Sequence, residues 1–375
     1  MENKKIKKII IFYPSYENGG ATKILQNLVT FFTNKKIKIN LISCNANYSN
    51  FKYDKKFLKI TKPKVILSSF FFQRIIFSLS VLKVYLKEII SIDKNDTIIL
   101  SMQSHLLSVI IGKICNKKIV IRNSEDPFGA TKYADDKISA LIVFLTKFIS
   151  FNLANGIITN SSKSFKSIKF FLINKKKIKL IFNPYLKKNN KKYSKERKKN
   201  HILAVGRFTK QKNFPFLLNA FSHFSRKYDN YKLIIVGSGK DKKKLLNQTS
   251  ILELKKKIIF FEWKKNLDKY FRNSKFFILP SLYEGSPNIL IEALDKGIPC
   301  ISSDCSGSND ILLNGKIGII YKKDDKKHLI QSMIKMHNRY NHFRNNSIKY
   351  MASSNRFLII PQAKKYLNFL STFIL

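Results

Sequence analysis

One pattern occurs twice along this 375-residue chain: short apolar runs alternate with segments of helical spacing. In the first half, the apolar runs predict strands at Ile9–Tyr13, Ile37–Ser43, Thr97–Ser101, Lys118–Ile121 and Gly156–Thr159. Later in the chain they predict strands at Ile202–Val205, Lys232–Val236, Lys257–Phe261, Phe276–Leu279 and Pro299–Ser302. Such alternation favours a parallel sheet covered by helices on both faces. We therefore predict an α/β fold with two Rossmann-like domains facing a cleft.

The boundary between the two domains is marked by composition. Near residue 186 a stretch rich in Lys and Asn begins, which is typical of a solvated linker. We predict an N-terminal domain at residues 1–186, a basic linker at 187–199 and a C-terminal domain at 200–357. A last helix at 358–375 is expected to return to the N-terminal domain.

The net charge of +48 is the most unusual feature of the composition. A surface this basic attracts polyanions such as nucleic acid, anionic lipid or a phosphorylated substrate. A nucleic-acid-binding protein is one interpretation. However, the lysines are spread along the chain, and neither a helix-turn-helix nor a zinc-ligand spacing is evident. We therefore expect no nucleic-acid partner.

The cysteines and the N-terminus indicate a cytoplasmic protein. Cys44, Cys115, Cys300 and Cys305 form no CxxC pair, so we expect reduced, buried thiols. The apolar run Ile9–Phe12 is too short for the core of a signal peptide. No uncharged stretch reaches the ~18 residues that a membrane span requires.

Two segments of the first half are unusually apolar, Ile75–Ile90 and Ile138–Leu153. One interpretation is a pair of interfacial helices that lie in an anionic membrane surface. The other is a pair of buried helices whose few lysines extend to solvent. The sequence leaves both open.

The segment Ser281–Leu294 carries the strongest chemical signal. We predict that Ser286 caps a helix whose first residue is Pro287. The free amides and positive dipole of such a helix start can bind a diphosphate. Glu292, about one turn into the helix, can accept hydrogen bonds from ribose hydroxyls, and Glu284 from hydroxyls of an attached sugar. The alternative is an ordinary capped helix with two solvated glutamates.

Taken whole, this segment resembles the Glu-x7-Glu signature of glycosyltransferase family 4, the retaining enzymes of the GT-B architecture. The resemblance implies transfer of a hexose or N-acetylhexosamine from a nucleotide-sugar, by default a UDP-sugar. It also implies that Asn288 and Ile289 belong to the donor-binding segment. A GT-B sugar-nucleotide epimerase or phosphorylase remains an alternative.

The segment Val205–Asn213 matches the same family at two cations. The resemblance implies that Arg207 and Lys212 hold the donor diphosphate. Fixed cations there would stabilise the negative charge of the leaving nucleoside diphosphate. The chain contains no Asp-x-Asp motif, so we expect catalysis without a metal or another cofactor.

Glycines in three further loops resemble family positions near the donor. Gly19 and Gly20 match a flexible loop that closes over the donor phosphates. Glycine allows a backbone to approach a phosphate closely. The remaining candidates lie beside the diphosphate and the nucleobase: Gly206, Gly237 and Gly239.

Three polar residues of the first half complete the predicted site. The family often has a His near the position of His105, facing the donor sugar, and we assign His105 to positioning that sugar or stabilising transition-state charge. Arg122 and Asn123 follow a predicted strand, and we assign them to acceptor binding.

The resemblance also predicts a mechanism and an acceptor. The chain shows no evident carboxylate nucleophile. We therefore expect the acceptor hydroxyl to attack on the face that the nucleotide leaves. Similar proteins extend lipid-linked oligosaccharides for lipopolysaccharide, capsule or other surface polysaccharides. The predicted partners are thus a nucleotide-sugar, a polyprenyl-diphosphate-linked glycan and an anionic membrane, with the protein peripheral on the inner face of the cytoplasmic membrane.

Overall fold

The computed structural model describes residues 6–17, 19–63, 80–91, 95–134, 136–188 and 199–374. The chain divides into two compact units, which we call the first and second domains. The first consists of Met1–Lys187 with Asn355–Leu375, and the second of Lys188–Ser354. Most of the predicted linker, at 189–198, lies outside the described residues.

The first domain is built on a parallel sheet of seven described strands in the order β3-β2-β1-β4-β5-β6-β7. The strands are β1 (Lys8–Phe12), β2 (Lys38–Ile42), β3 (Leu58–Thr61), β4 (Thr97–Ser101), β5 (Ile119–Asn123), β6 (Gly156–Thr159) and β7 (Ile178–Leu180). The helices are α1 (Gly20–Asn34), α2 (Leu82–Ile90), α3 (His105–Ile114), α4 (Pro127–Lys132), α5 (Lys137–Leu153) and α6 (Ser162–Phe170).

The second domain has a parallel sheet of six described strands in the order β10-β9-β8-β11-β12-β13. The strands are β8 (His201–Val205), β9 (Lys232–Val236), β10 (Ile258–Phe261), β11 (Phe276–Leu279), β12 (Cys300–Ser303) and β13 (Ile319–Tyr321). The helices are α7 (Phe214–Lys227), α8 (Lys242–Ile251), α9 (Asp268–Asn273), α10 (Asn288–Asp295), α11 (Ser308–Ile311), α12 (Lys326–Asn338) and α13 (Tyr340–Ser353).

The C-terminal helix α14 (Ile359–Ser371) belongs to the first domain, where it packs against α1. Just before it, Leu358 forms a β-bridge with Leu186. Within the helix, the hydroxyl of Tyr366 accepts a hydrogen bond of 3.0 Å from Nε of Arg122 on β5.

Each domain has a separate apolar core between its sheet and its helices. The central strands are buried on both faces, which explains why their sequences are continuous apolar runs. In β1, Ile9, Ile10 and Ile11 are all fully buried. Two parallel sheets with covering helices confirm the predicted α/β class.

Three strands were not predicted, β3, β7 and β13, and all three lie at sheet edges. In β3 and β7 a lysine that reaches solvent interrupts the apolar run, and β13 has only three residues. Edge strands have one open side, so they need less continuous apolar sequence than central strands.

All four cysteines are free thiols; Cys44, Cys300 and Cys305 are buried, whereas Cys115 is partly exposed. Within the described part of the chain, no helix combines the length and the apolar character needed to cross a bilayer.

Candidate active site

The candidate site lies at the carboxyl edge of the second sheet, where the strand order reverses. There β8 pairs with β9 on one side and with β11 on the other. In open α/β sheets, ligands bind at such a switch point, beyond the carboxyl ends of the strands. The loops that follow β8 and β11 are Gly206–Asn213 and Pro280–Pro287, and they contain the two segments singled out from the sequence.

These two loops are joined by hydrogen bonds. The amide of Leu282 donates to the carbonyl of Gln211 over 2.8 Å. The side-chain amide of Gln211 donates back to the carbonyl of Tyr283 over 3.0 Å. The loop after β8 ends at Asn213, whose φ of 50° is left-handed, and α7 begins at the next residue.

The ammonium of Lys212 contacts the carboxylate of Glu284, and both side chains are largely buried, with 15% and 13% of their area exposed. The same carboxylate oxygen accepts a 2.9 Å hydrogen bond from the hydroxyl of Ser281. The carbonyl of Ser281 accepts in turn from Ser303 over 2.5 Å. Two residues assigned to donor chemistry are thus brought into one polar cluster with fixed geometry.

The loop glycines bring the backbones after β8 and β9 into contact. A Cβ on Gly237 would lie 1.9 Å from the carbonyl oxygen of Gly206. A Cβ on Gly239 would lie 2.5 Å from the carbonyl oxygen of Phe208. Gly239 also has a φ of 152°, which side chains disfavour. The backbone amide of Phe208 donates a hydrogen bond of 2.8 Å to the carbonyl of Ser238. Glycine is therefore required at 237 and 239.

The start of α10 differs by one residue from the prediction. Pro287, not Ser286, is the N-cap, and its side chain makes no capping bond. The reason is that ψ of Pro287 is 101°, so the backbone is still extended there and the helix begins at Asn288. The helix start still offers backbone amides and a positive dipole at the sheet edge.

A second loop supports the start of α10. Gly307, after β12, lies so close that a Cβ there would be 2.4 Å from the carbonyl oxygen of Gly285. Asn288, Ile289 and Glu292 are half-buried. They lie within the first five residues of α10.

Sequence reasoning missed several residues that shape this cluster. Ser281 was read only as part of the signature, although its spacing of three residues from Glu284 could have suggested a contact. Lys323, just after β13, donates to the carbonyl of Leu282 over 3.1 Å. Cys305 is buried nearby; its burial and, to a smaller extent, Glu284 raise the pKa of its thiol, which keeps the thiol protonated.

Arg207 differs from Lys212 in its surroundings. Its side chain is exposed, and within the described residues it makes no hydrogen bond or ion pair. An exposed guanidinium on this loop is suited to bidentate contact with a phosphate.

The first domain presents His105 at its own switch point, between β1 and β4. His105 begins α3, and Ser104 before it is left-handed with a φ of 48°. Nδ1 of His105 lies 2.9 Å from the hydroxyl of Ser101. Burial, together with the charges of Lys147 and Arg122, lowers the pKa of His105 to about 3. The imidazole is therefore neutral at physiological pH.

Gly19 and Gly20 lie on the other side of that switch point. Gly19 is the N-cap of α1 and Gly20 is its first residue, and both are exposed. A Cβ on Gly19 would meet nothing within 4 Å among the described residues. Their predicted phosphate contact stays a prediction.

The acceptor-binding role predicted for Arg122 and Asn123 is not supported. Arg122 is only 1% exposed. Its guanidinium donates a hydrogen bond of 2.8 Å to the side-chain oxygen of Asn183 and one of 3.0 Å to the hydroxyl of Tyr366. Asn123 is buried and donates to the carbonyl of Glu125 over 2.7 Å. The strand β5 continues to Asn123, so Arg122 lies within it rather than beyond its end. Both residues hold the first domain together.

Within the described ranges, no group of three or more His, Cys, Asp or Glu side chains is placed to hold a metal ion. The expectation of catalysis without a metal stays a prediction.

This loop geometry can be compared with known proteins. Residues 187–352 match the family model described as glycosyl transferases group 1. The match covers most of the second domain. The matched range contains the whole candidate site, from Gly206 to Gly307.

Similar proteins extend the likeness into the first half of the chain. An uncharacterized glycosyltransferase of Methanocaldococcus jannaschii is 30% identical over 253 residues, which are 61% of this chain and 62% of that one. The chain thus spans about three fifths of that relative. An N-acetylgalactosamine-N,N'-diacetylbacillosaminyl-diphospho-undecaprenol 4-alpha-N-acetylgalactosaminyltransferase of Campylobacter jejuni is 24% identical over 88% of this chain and 89% of its own.

The fold is shared with HepE of Anabaena, solved in complex with UDP and glucose. The TM-score is 0.76 at 15% identity, over 98% of this chain and 100% of that one. At this identity the likeness concerns the fold alone, and it confirms the GT-B class.

Proposed function

We propose that the protein is a retaining glycosyltransferase that moves a hexose or N-acetylhexosamine from a UDP-sugar to a lipid-linked glycan in surface polysaccharide synthesis. One observation carries the proposal. The contact of Lys212 with Glu284 joins the two loops beside the switch point of the second sheet. It thereby places a cation, a carboxylate and a helix start at a single edge.

Each group has a role that follows from its chemistry. Arg207, Lys212 and the first amides of α10 bind the diphosphate and stabilise the charge that develops on it as the sugar leaves. Glu292 accepts hydrogen bonds from the ribose hydroxyls, and Glu284 accepts them from the sugar. Because Lys212 is paired with Glu284, a bound diphosphate competes with that carboxylate for the ammonium.

His105 keeps its assignment to the donor sugar. A neutral imidazole acts as a hydrogen-bond donor or acceptor and not as a fixed charge. The hydroxyl of Ser101 donates either to the carbonyl of Gln103 or to Nδ1 of His105. In the first case Nε2 of His105 accepts from a sugar hydroxyl, and in the second Nε2 carries the proton and donates to one. His105 therefore positions the sugar by hydrogen bonding. Gly19 and Gly20 remain assigned to the approach of backbone to phosphate.

The proposed reaction retains configuration without a covalent intermediate. The bond between the anomeric carbon and the phosphate oxygen breaks while the acceptor oxygen bonds to the same face. The departing phosphate takes the proton of the acceptor hydroxyl. The cations Arg207 and Lys212 stabilise the phosphate without a metal.

The proposal of a UDP-sugar and a lipid-linked acceptor draws support from the named relatives. The Campylobacter jejuni relative is named for a diphospho-undecaprenol substrate, and HepE was solved with UDP. The basic chain, with a net charge of +48, fits an acceptor that carries a diphosphate and a membrane rich in anionic lipid. A peripheral position on the inner face of the cytoplasmic membrane is part of this proposal.

Thermal stability with UDP and with GDP, each at about 100 times its dissociation constant, tests the donor site. A ligand at that concentration that binds only the folded state adds about 2.7 kcal/mol. We expect stabilisation by UDP that Arg207→Ala abolishes. Transfer from a panel of UDP-sugars to a polyprenyl-diphosphate-linked glycan then tests the activity.

Two outcomes would contradict parts of the proposal. Turnover of a nucleotide-sugar without any acceptor would indicate an epimerase or phosphorylase. A covalent sugar adduct trapped on Glu284→Gln, seen by mass spectrometry of the intact protein, would exclude attack on the leaving face.

A further inference from the structure

The helix α5 buries Ala140 and Phe151, and its outward face is also apolar. Six apolar residues recur at helical spacing along the exposed side: Ile138, Leu141, Ile142, Leu145, Ile149 and Leu153. Ile138 is 74% exposed and Ile142 56%. In contrast, Ser150 is buried, and Lys147 is mostly buried against Glu125, to which it donates over 2.7 Å. A surface helix in water normally has the opposite arrangement.

The end of α6 and the turn after it extend this apolar surface. Phe170 and Ile173 are 84% and 88% exposed. The amide of Ile173 donates to the side chain of Asn152 over 3.0 Å, which fixes the turn beside the end of α5. Between them, Phe171 packs against the aromatic rings of α4 and α5. We call the six residues of α5 together with Phe170 and Ile173 the α5 face.

Cations accompany the α5 face. From Lys137 to Lys177 the sequence contains eight lysines and no Asp or Glu. Lys169, Lys175 and Lys176 are exposed on either side of Phe170 and Ile173. An apolar strip of about 25 Å, the length of 17 helical residues, with lysines beside it has the chemistry of an interfacial helix in an anionic bilayer.

The same cations argue against a second copy of the chain as the occupant. In a symmetric dimer each face meets its own copy, so the lysine clusters beside the two faces would approach each other. Like charges brought together in this way repel, whereas anionic headgroups attract them.

We propose that the α5 face inserts into an anionic membrane at the boundary between headgroups and acyl chains of the leaflet that it contacts. Lys169, Lys175 and Lys176 then contact the lipid headgroups. This membrane contact rests on the proposed function, because an enzyme held at the bilayer meets a lipid-linked acceptor directly. The α5 face belongs to the second of the two apolar segments in the sequence, whereas residues 75–79 of the first lie outside the described residues. In the first, the described helix α2 buries Tyr85 and Ile89.

Vesicle sedimentation with the full chain tests the proposal. The vesicles are phosphatidylcholine alone or phosphatidylcholine in which about one third of the lipid is phosphatidylglycerol. We expect the protein to bind the anionic vesicles and Ile138→Asn/Ile142→Asn to bind them roughly tenfold or more weakly. The matched control is Ile251→Asn/Ile360→Asn, whose side chains are 80% and 60% exposed elsewhere, and it should bind like the parent.

A second variant guards against loss of folding. Phe170→Ser/Ile173→Ser changes two exposed side chains at the end of α6 and in the turn after it, and it should also weaken binding. Equal binding by the parent and both variants would overturn the proposal. The proposal would also be overturned if the parent did not bind vesicles but formed a concentration-dependent dimer that Ile138→Asn/Ile142→Asn disrupts. That result would assign the α5 face to contact with a second copy of the chain. UDP binding is measured separately, without vesicles. If UDP binds but vesicles do not, the membrane contact is refuted while the proposed donor site is not.

Discussion

The ion pair of Lys212 and Glu284 leads to opposite predictions for its two partners. Lys212→Met removes the cation that we assign to the diphosphate. Glu284→Gln removes the carboxylate that competes for that cation and leaves the shape of the side chain almost unchanged. UDP affinity should therefore fall in the first variant and stay constant or rise in the second, whereas sugar transfer should fall in both.

The magnitudes follow from burial. Exposed ion pairs contribute about 0–1 kcal/mol and breaking a fully buried one costs about 3–5 kcal/mol. With 15% and 13% of the side chains exposed, and with Ser281 still donating to Glu284, we expect Lys212→Met to destabilise the domain by about 1–3 kcal/mol. A hydrogen bond to a charged group contributes about 1.5–3 kcal/mol, so the dissociation constant for UDP should rise roughly 10- to 150-fold.

Calorimetric titration with UDP and urea unfolding measure these two quantities. Lys296→Met is the matched control, because its ion pair with Asp268 lies in the same domain and is more exposed, at 35% and 47%. It should change stability by at most about 1 kcal/mol and leave UDP affinity unchanged. If Glu284→Gln weakened UDP binding as much as Lys212→Met does, the argument that the carboxylate and the diphosphate compete for Lys212 would be refuted.

Three further predictions concern other parts of the structure. Gly307→Ala places a Cβ 2.4 Å from the carbonyl oxygen of Gly285, so it should displace the start of α10 and weaken UDP binding measured by titration. Tyr366→Phe leaves Nε of the buried Arg122 without its acceptor, so it should cost about 1–3 kcal/mol in urea unfolding and leave UDP affinity unchanged. His105 is neutral down to about pH 3 when folded but protonates near 6.5 when unfolded, so the free energy of unfolding should fall as pH falls from 6.5. His105→Gln should reduce that slope, measured by urea unfolding at several pH values.

The central strands could be predicted because burial on both faces requires a continuous apolar run. Thr97–Ser101, Lys232–Val236 and Phe276–Leu279 have the predicted bounds. The edge strands β3 and β7 were not predicted because a lysine that reaches solvent interrupts each apolar run, and β13 was missed because it has only three residues. The edge strand β10 has an uninterrupted apolar run and was predicted. The same uncertainty about strand ends explains the error at Arg122, which was placed beyond a strand that in fact continues through it.

The site was predictable in its residues but not in its contacts. The signature identified Glu284, and the loop after β8 identified Lys212. Their pairing joins residues 72 positions apart and depends on which strands are neighbours in the sheet. The donation from Lys323 to the backbone of Leu282 depends on the same strand order. Sequence patterns report local structure, so contacts across a sheet edge become visible only in three dimensions.

The amphipathic character of α5 also needed the structure. Its sequence is apolar around most of the helix, so spacing alone did not show which side packs against α3 and α4. The structure turns Ser150 and Lys147 inward and leaves Ile138, Ile142 and Ile149 in solvent.

Hydrogen–deuterium exchange of the full chain with and without UDP tests the central claim most directly. The account places the diphosphate against Arg207, Lys212 and the first amides of α10. It therefore predicts slower exchange in Gly206–Asn213 and at the start of α10 when UDP is bound, with no change in α5, and loss of that protection in Arg207→Ala. Unchanged exchange in both loops at saturating UDP, or protection confined to other parts of the chain, would contradict the assignment of the donor site.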